Sequence, residues 1–142
     1  GIGVYPENHF HSSNFDKEIS LIKRKIEAGA DYAVTQMFFD NKKYFDFVDK
    51  CRAQGITIPI IPGIKILDKP RQIESLEKIF HINLPQELKK EAKENIEHIE
   101  EVGTNWAILQ SEELINAGVP IIHYYLMNDT SCMLKILNHL HK

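Results

Sequence analysis

The chain has 142 residues, 43% of them hydrophobic and 26% charged, with 17 Lys and Arg against 20 Asp and Glu for a formal net charge of −3. That is the size and balance of one soluble globular domain, and the slight acidity argues against a nucleic-acid surface, whose affinity rests on dense positive charge. No apolar run approaches the roughly 20 residues that span a bilayer, no charged-then-apolar leader opens the chain, and Cys51 and Cys132 form no CxxC pair, so the expectation is a cytoplasmic protein with reduced thiols packed as small apolar fillers.

The elements alternate along the chain. IGVY (2–5) is a short apolar strand ended by Pro6. After the loop HFHSSN (9–14), residues 15–30 place Ile19, Ile22 and Ile26 at helical spacing. Gly29 is suited to end that helix, because glycine tolerates the left-handed conformation past a helix C-terminus. The strand YAVTQ (32–36) leads into MFFDN, where Asp40 or Asn41 can N-cap the next helix. Tyr44, Phe47, Val48 and Cys51 form its inward stripe, and Gly55 closes it. TIPIIPGI (57–64) reads as a third strand, with prolines tolerable at its start and end. A helix follows from Pro70 to about Phe80. LPQELKKEAKENIEHIEE and GTNWAILQSEELINAG read as two more helices, with Trp106 and Leu109 assigned to the core. PIIHYYL (120–126) is the fourth strand, and TSCMLKILNHL, capped by Asp129 or Thr130, is the final helix.

Strands separated by crossover helices pair in parallel. Parallel strands buried on both faces carry continuous apolar runs, as IPIIPGI and VPIIHYY do. The class is therefore α/β, either an open wound sheet or part of a (β/α)8 barrel. The GxG of GIGVYPE lies before and within its strand, not after it, so it is a poor dinucleotide fingerprint. The chain opens in a strand pattern and closes in an apolar helix pattern, as a piece of a larger unit does. It is long enough for half of a barrel.

In both architectures ligands bind at the C-terminal strand ends. Those ends collect Tyr5, Glu7, His9, His11 and Ser12; then Gln36, Phe38, Phe39 and Asp40; then Gly63, Lys65 and Gln72; then Tyr124, Tyr125, Asn128 and Asp129. An aromatic, amide-rich edge with few charges suits a flat, partly polar heterocycle better than a metal or a polyphosphate. HxH at 9–11 has no third ligand nearby, which argues against zinc. KRK (23–25) is a solvated helix face unless a phosphate lies beside it. Phe38 and Phe39 suit the packing of a helix entry. Gln36 is the informative residue: an amide ending an apolar strand either caps a neighbouring loop or faces a ligand.

YPENH, LIKRKIEAGADYAVTQMFFD, IPIIPGI and AGVPIIHYYLMN, in that order and spacing, resemble the methylenetetrahydrofolate reductase family in its bacterial form, over nearly the whole chain. The resemblance implies one partial domain over residues 1–142, the C-terminal half of a (β/α)8 TIM barrel, strands five to eight with their helices. It implies a flavin-dependent oxidoreductase that passes a hydride from NADH or NADPH through FAD to 5,10-methylenetetrahydrofolate, giving 5-methyltetrahydrofolate for methionine synthesis. FAD contacts fall on Tyr5, His9, Ser12, Glu18, Leu21, Arg24 and Lys25, with Glu18 where the family often has Asp. Folate contacts fall on Gln36, Gln72, Leu76 and Tyr125. Asp129 stands where the family often has an arginine, and Lys65 is the candidate replacement for that anion contact. The family's catalytic glutamate and flavin-tuning aspartate belong to segments outside these residues, so no catalytic residue is assigned and this chain alone is expected to be inactive. Implied partners are a small folate, no nucleic acid, no membrane, and further copies in a homo-oligomer. The alternatives are a non-catalytic half-barrel that binds flavin or folate or self-associates, and an unrelated parallel α/β binding domain.

Overall fold

The computed structural model describes residues 1–7, 14–127 and 130–142. It is an α/β structure in which every strand pair is parallel. Strand β1 (Ile2–Val4) is followed by helix α1 (Phe15–Glu27), β2 (Ala33–Thr35), α2 (Asn41–Ala53), β3 (Ile60–Ile61) and β4 (Gly63–Lys65). Then come α3 (Gln72–Phe80), α4 (Gln86–Glu94), a 3-10 turn (Ile96–His98), α5 (Ile99–Asn116), β5 (His123–Tyr125) and α6 (Ser131–Leu140).

Local chemistry sets the ends of α1 and α2. Asn14 caps α1 by accepting from the Asp16 N–H (2.9 Å), and Asp40 caps α2 by accepting from the Lys42 N–H (2.9 Å). Gly29 (φ 103°) follows α1 in the left-handed conformation, as its position predicts. Thr130 stands at the N-cap of α6 without a side-chain cap bond; Asp129, the other predicted cap, lies outside the described residues.

The third predicted strand is broken. Its first half, β3, pairs with β2, and its second half, β4, pairs with β5, giving sheets ordered β1–β2–β3 and β4–β5. Pro62 stands at the break and has no N–H to give a ladder. The next amide, Gly63 N–H, donates to the Thr35 hydroxyl at 2.8 Å instead of to a backbone carbonyl. The Pro62 carbonyl accepts from the His123 N–H at 2.9 Å, which hands the run over to β5.

The two sheet faces differ, as period-two side chains require. Val4, Ala33, Ile60 and Ile64 point toward the helices and form one core with Ile19, Ile22, Phe38, Phe47, Leu114 and Ile136. The opposite face carries Gly3, Val34, Ile61 and His123, none of them fully buried. The expectation of strands buried on both faces therefore holds for β4, whose Gly63, Ile64 and Lys65 are all buried, and fails for β1, β2, β3 and β5. A second core joins Met37, Phe39, Leu67, Leu76, Leu88 and Val102 behind the loop that follows β4.

The predicted boundary between the fourth and fifth helices is also corrected. The break falls at Asn95, and Gly103 lies inside α5. Glycine is there because of a neighbour: a Cβ on Gly103 would lie 1.8 Å from the Leu67 carbonyl oxygen. Leu109, assigned to the core from its apolar character, is 62% exposed, while Trp106 is half-buried and donates its Nε1–H to the Phe39 carbonyl at 2.9 Å. Phe38 and Phe39 are buried, as helix-entry packing requires. Both cysteines are buried free thiols, and burial pushes Cys51 up to about 11.

Candidate functional site

The second face of the sheets, the length of α3 and the segment after β5 line a cavity of about 750 Å³, within the range of small-molecule sites. Gln36, Gln72, Leu76 and Tyr125 all line it. They come from three separate segments, the end of β2, helix α3 and β5, which the structure brings together. Tyr5 and Lys65 line the same cavity.

The two glutamines are held alike. The Gln36 Oε1 accepts from the Met37 N–H (3.0 Å). The Gln72 Oε1 accepts from the N–H groups of Asp68 (2.9 Å) and Lys69 (3.1 Å). Each oxygen is thereby committed to backbone, which leaves each Nε2, with two donor hydrogens, for the cavity. Of the two readings of Gln36, capping a loop or facing a ligand, the structure shows the first in the bond from Met37, and it leaves the Nε2 beside the cavity. Ser75 and Arg71 add further donors, and the lining contains no Asp or Glu among the described residues. The described lining thus offers hydrogen-bond donors and two cationic side chains, Lys65 and Arg71.

Tyr125 is fixed from three sides. Its hydroxyl donates to the Thr35 carbonyl at 2.8 Å, and its ring packs edge-on against His123 with centroids 4.6 Å apart. Burial, reinforced by the neighbouring Tyr5, pushes its phenol above the usual range, so it remains a neutral donor. The third side is Gly63: a Cβ there would meet the Thr35 carbonyl oxygen at 2.5 Å and the Tyr125 ring at 2.6 Å. Thr35 thus takes a bond from Gly63 on its hydroxyl and one from Tyr125 on its carbonyl. The sequence reading missed this residue, because a threonine in a strand carries no sign of such a role.

The residues assigned to a cofactor are spread more widely. Tyr5 lines both the main cavity and a neighbouring one of about 320 Å³, which Glu18 also lines. Leu21 (42% exposed), Arg24 and Lys25 lie further along α1, the last two in its final turn, and none of them reaches the main cavity. Glu18, Leu21 and Lys25 recur at helical spacing on one stripe. His9, Ser12, His11, Asn128 and Asp129 lie outside the described residues. Glu7 is engaged structurally: its Oε2 accepts from the Asn83 N–H at 2.7 Å, while burial raises its pKa against that bond. Among the described residues no group of three or more His, Cys, Asp or Glu side chains could hold a metal ion, and no helix is long and apolar enough to cross a membrane.

A family model described as methylenetetrahydrofolate reductase matches residues 1–141. The chain is 34% identical over 131 residues to methylenetetrahydrofolate reductase 1 of Schizosaccharomyces pombe, covering 90% of this chain and 22% of that protein. It is 31% identical over 138 residues to the 5,10-methylenetetrahydrofolate reductase of Buchnera aphidicola subsp. Schizaphis graminum, covering 95% and 47%. The Escherichia coli protein of the same name is 31% identical over 130 residues, covering 89% and 44%. The chain therefore spans less than half the length of each of these relatives. In fold it is similar, with a TM-score of 0.64 and 18% identity, to an uncharacterized Clostridium thermocellum protein that binds two copies of 5-methyl-5,6,7,8-tetrahydrofolic acid, over 95% of this chain and 50% of that one.

Proposed function

The chain belongs to the methylenetetrahydrofolate reductase family, and from that premise we propose that it forms the folate-facing half of a flavin-dependent reductase. In this reading it is the C-terminal half of a (β/α)8 barrel, and the complete cytoplasmic, oligomeric enzyme converts 5,10-methylenetetrahydrofolate to 5-methyltetrahydrofolate with NADH or NADPH. The observation that carries it is the meeting of Gln36, Gln72, Leu76 and Tyr125 in one cavity. The glutamine Nε2 groups donate to the acceptor edge of a pterin, and Leu76 and Tyr125 supply the apolar flank. The folate bound by the similarly folded Clostridium thermocellum protein agrees with such a ligand.

FAD fits these residues in part. Gly3 meets nothing within 4 Å of where a Cβ would stand, so the inner face beside Tyr5 is open to a flat ring. Glu18, Leu21, Arg24 and Lys25 continue from the adjoining cavity along α1, where the two cations suit a diphosphate. When bound, FAD supplies the hydride-carrying chemistry. The chain's own residues orient the folate; the cavity lining offers no carboxylic acid to protonate it among the described residues, and general acid catalysis needs one within hydrogen-bond reach. We expect the chain to bind 5-methyltetrahydrofolate by calorimetry and to show no NADH–menadione turnover with added FAD. Undetectable folate binding sinks the substrate reading, and robust turnover sinks the inactivity.

A second reading rests on the sheet edges. Among the described strands β1 pairs only with β2 and β5 only with β4, so each leaves an edge unpaired, and such edges template pairing with another chain. Self-association through them predicts a dimer or larger species by light scattering; a clean monomer at high concentration excludes it.

A further inference from the structure

Helix α5 carries a stripe that the folate reading does not use. Trp106, Leu109, Gln110 and Glu113 recur at helical spacing on one face, and all four line a further cavity of about 490 Å³, large enough for a small molecule. The loop before α2 and the segment entering α4 complete the lining. None of its residues lines the main cavity, so this site stands or falls apart from the folate reading. Leu109, 62% exposed, and the half-buried Trp106 give it an apolar wall.

The charge of the lining has one sign. Asp40, Glu87 and Glu113 contribute carboxylates, and no Lys, Arg or His stands with them among the described lining residues. None of the three has an ion-pair partner among the described residues. Asp40 accepts the Lys42 N–H as the cap of α2, and Glu113 accepts from the Asn41 Nδ2 at 2.7 Å, both neutral donors. The nearby Lys42 ammonium is taken by Asp46. The α4 N-terminus favours negative charge, but its dipole amounts to roughly half a charge and Glu87 in its first turn already meets it. Asp40 and Glu113 remain unmatched. An independent sign comes from Gln110, which is only 5% exposed. Its Nε2 donates to the Phe38 carbonyl (3.2 Å) and the Asn41 Oδ1 (3.1 Å), while its Oε1 is buried with no hydrogen-bond partner among the described residues. A buried acceptor left unpaired is destabilising, and a donor brought by a ligand offsets that cost.

We propose that this cavity binds a flat organic cation, an amidinium or guanidinium on an apolar body. Such a group has only donors to offer, which suits a lining whose free polar groups are acceptors. An N–H donates to the Gln110 Oε1, the charge answers the Asp40 and Glu113 carboxylates, and the apolar body lies against Leu109 and Trp106, where an indole attracts a cation further. A bare metal ion does not suit the same residues, because no metal-holding group of His, Cys, Asp or Glu exists among those described.

Trp106 is the single tryptophan of the chain, so its fluorescence reports on this cavity. The test titrates the chain with benzamidine, benzamide and benzoate, which share one shape and differ in charge. We expect benzamidine to shift the Trp106 emission saturably and to bind about tenfold tighter than benzamide, the factor that one charge-assisted hydrogen bond readily supplies, with benzoate weaker still. The double variant Asp40→Asn, Glu113→Gln keeps an oxygen for the α2 cap and for Asn41, and it should bring the ratio of benzamidine to benzamide near one. Gln110→Met should weaken both probes alike and leave their ratio unchanged. Unchanged circular dichroism confirms that each variant folds, and if Gln110→Met does not fold the double variant decides alone. The proposal is overturned if the wild type binds benzamidine no better than benzamide, if benzoate binds most tightly, if the double variant keeps the wild-type preference, or if a folded Gln110→Met binds both probes as the wild type does.

Discussion

Gly103→Ala is expected to unfold or severely loosen this protein, although it adds one methyl group to a helix that should welcome alanine. By helix propensity the change is favourable by about 1 kcal/mol. The site reverses the sign. The added Cβ would lie 1.8 Å from the Leu67 carbonyl oxygen, 2.6 Å from its carbon and 2.9 Å from its nitrogen. All three contacts are backbone, so no side chain can turn away to relieve them. Either α5 lifts off the loop or the loop moves, and Leu67 is itself fully buried in the second core. The expected cost is about 3 kcal/mol, at the upper end of overpacking, which lowers the melting temperature by roughly 10 °C in a domain of this size. The damage also reaches the site, because the Asp68 and Lys69 amides that hold the Gln72 oxygen come next in the chain. A thermal melt unchanged to within a degree or two would show that the two backbones are not in contact.

The second large effect is functional and belongs to the complete enzyme. Gln36→Glu is expected to reduce folate turnover about tenfold to a hundredfold, the worth of hydrogen bonds lost to a substrate, while nicotinamide oxidation stays within about twofold. The substitution retains an oxygen for the Met37 N–H (3.0 Å), so the local backbone keeps its partner. It removes both donors and presents a negative oxygen to a ligand's acceptor edge. Gln36→Ala loses the donors and the Met37 bond together, and should match Gln36→Glu in function while falling below it in stability. The pair of variants thus separates the two uses of the amide. Measuring the two half-reactions by stopped flow decides the matter: equal losses in both contradict a folate-facing Gln36.

Much of this was legible in the residues. The alternation of apolar runs with glycine-stopped helical patterns led to parallel α/β units, because both signals are local. Gln36 stood out as a polar group ending an apolar strand, and that judgement needed only the cost of burying an amide. What the sequence concealed was tertiary. Gly103 reads as a helix boundary because glycine favours ends; only the approach of Leu67 explains it inside one. Leu109 reads as core because it is apolar, but it faces outward beside Trp106. The division of IPIIPGI was half visible in Pro62, yet nothing local says that Thr35 receives the next amide. Lys65 was recognised as a strand-end residue, whereas its place in one cavity lining with Gln36, Gln72 and Tyr125 depends on segments distant in the chain.

The handover at Pro62 has a consequence for how the wall can move. A continuous ladder would tie β2 to all of the run from 60 to 65, so that the wall opened as one body or not at all. Here the join is carried by the Gly63 amide on the Thr35 hydroxyl, with Tyr125 clasping the same residue from the other side. The wall is therefore a pair of panels with a latch. One panel, β1–β2–β3, carries Gln36 at its end; the other, β4–β5, carries Lys65 and Tyr125. Gln36 and the pair Lys65 and Tyr125 thus stand on opposite sides of a joint that Thr35 bridges, so a ligand that engages both spans the seam.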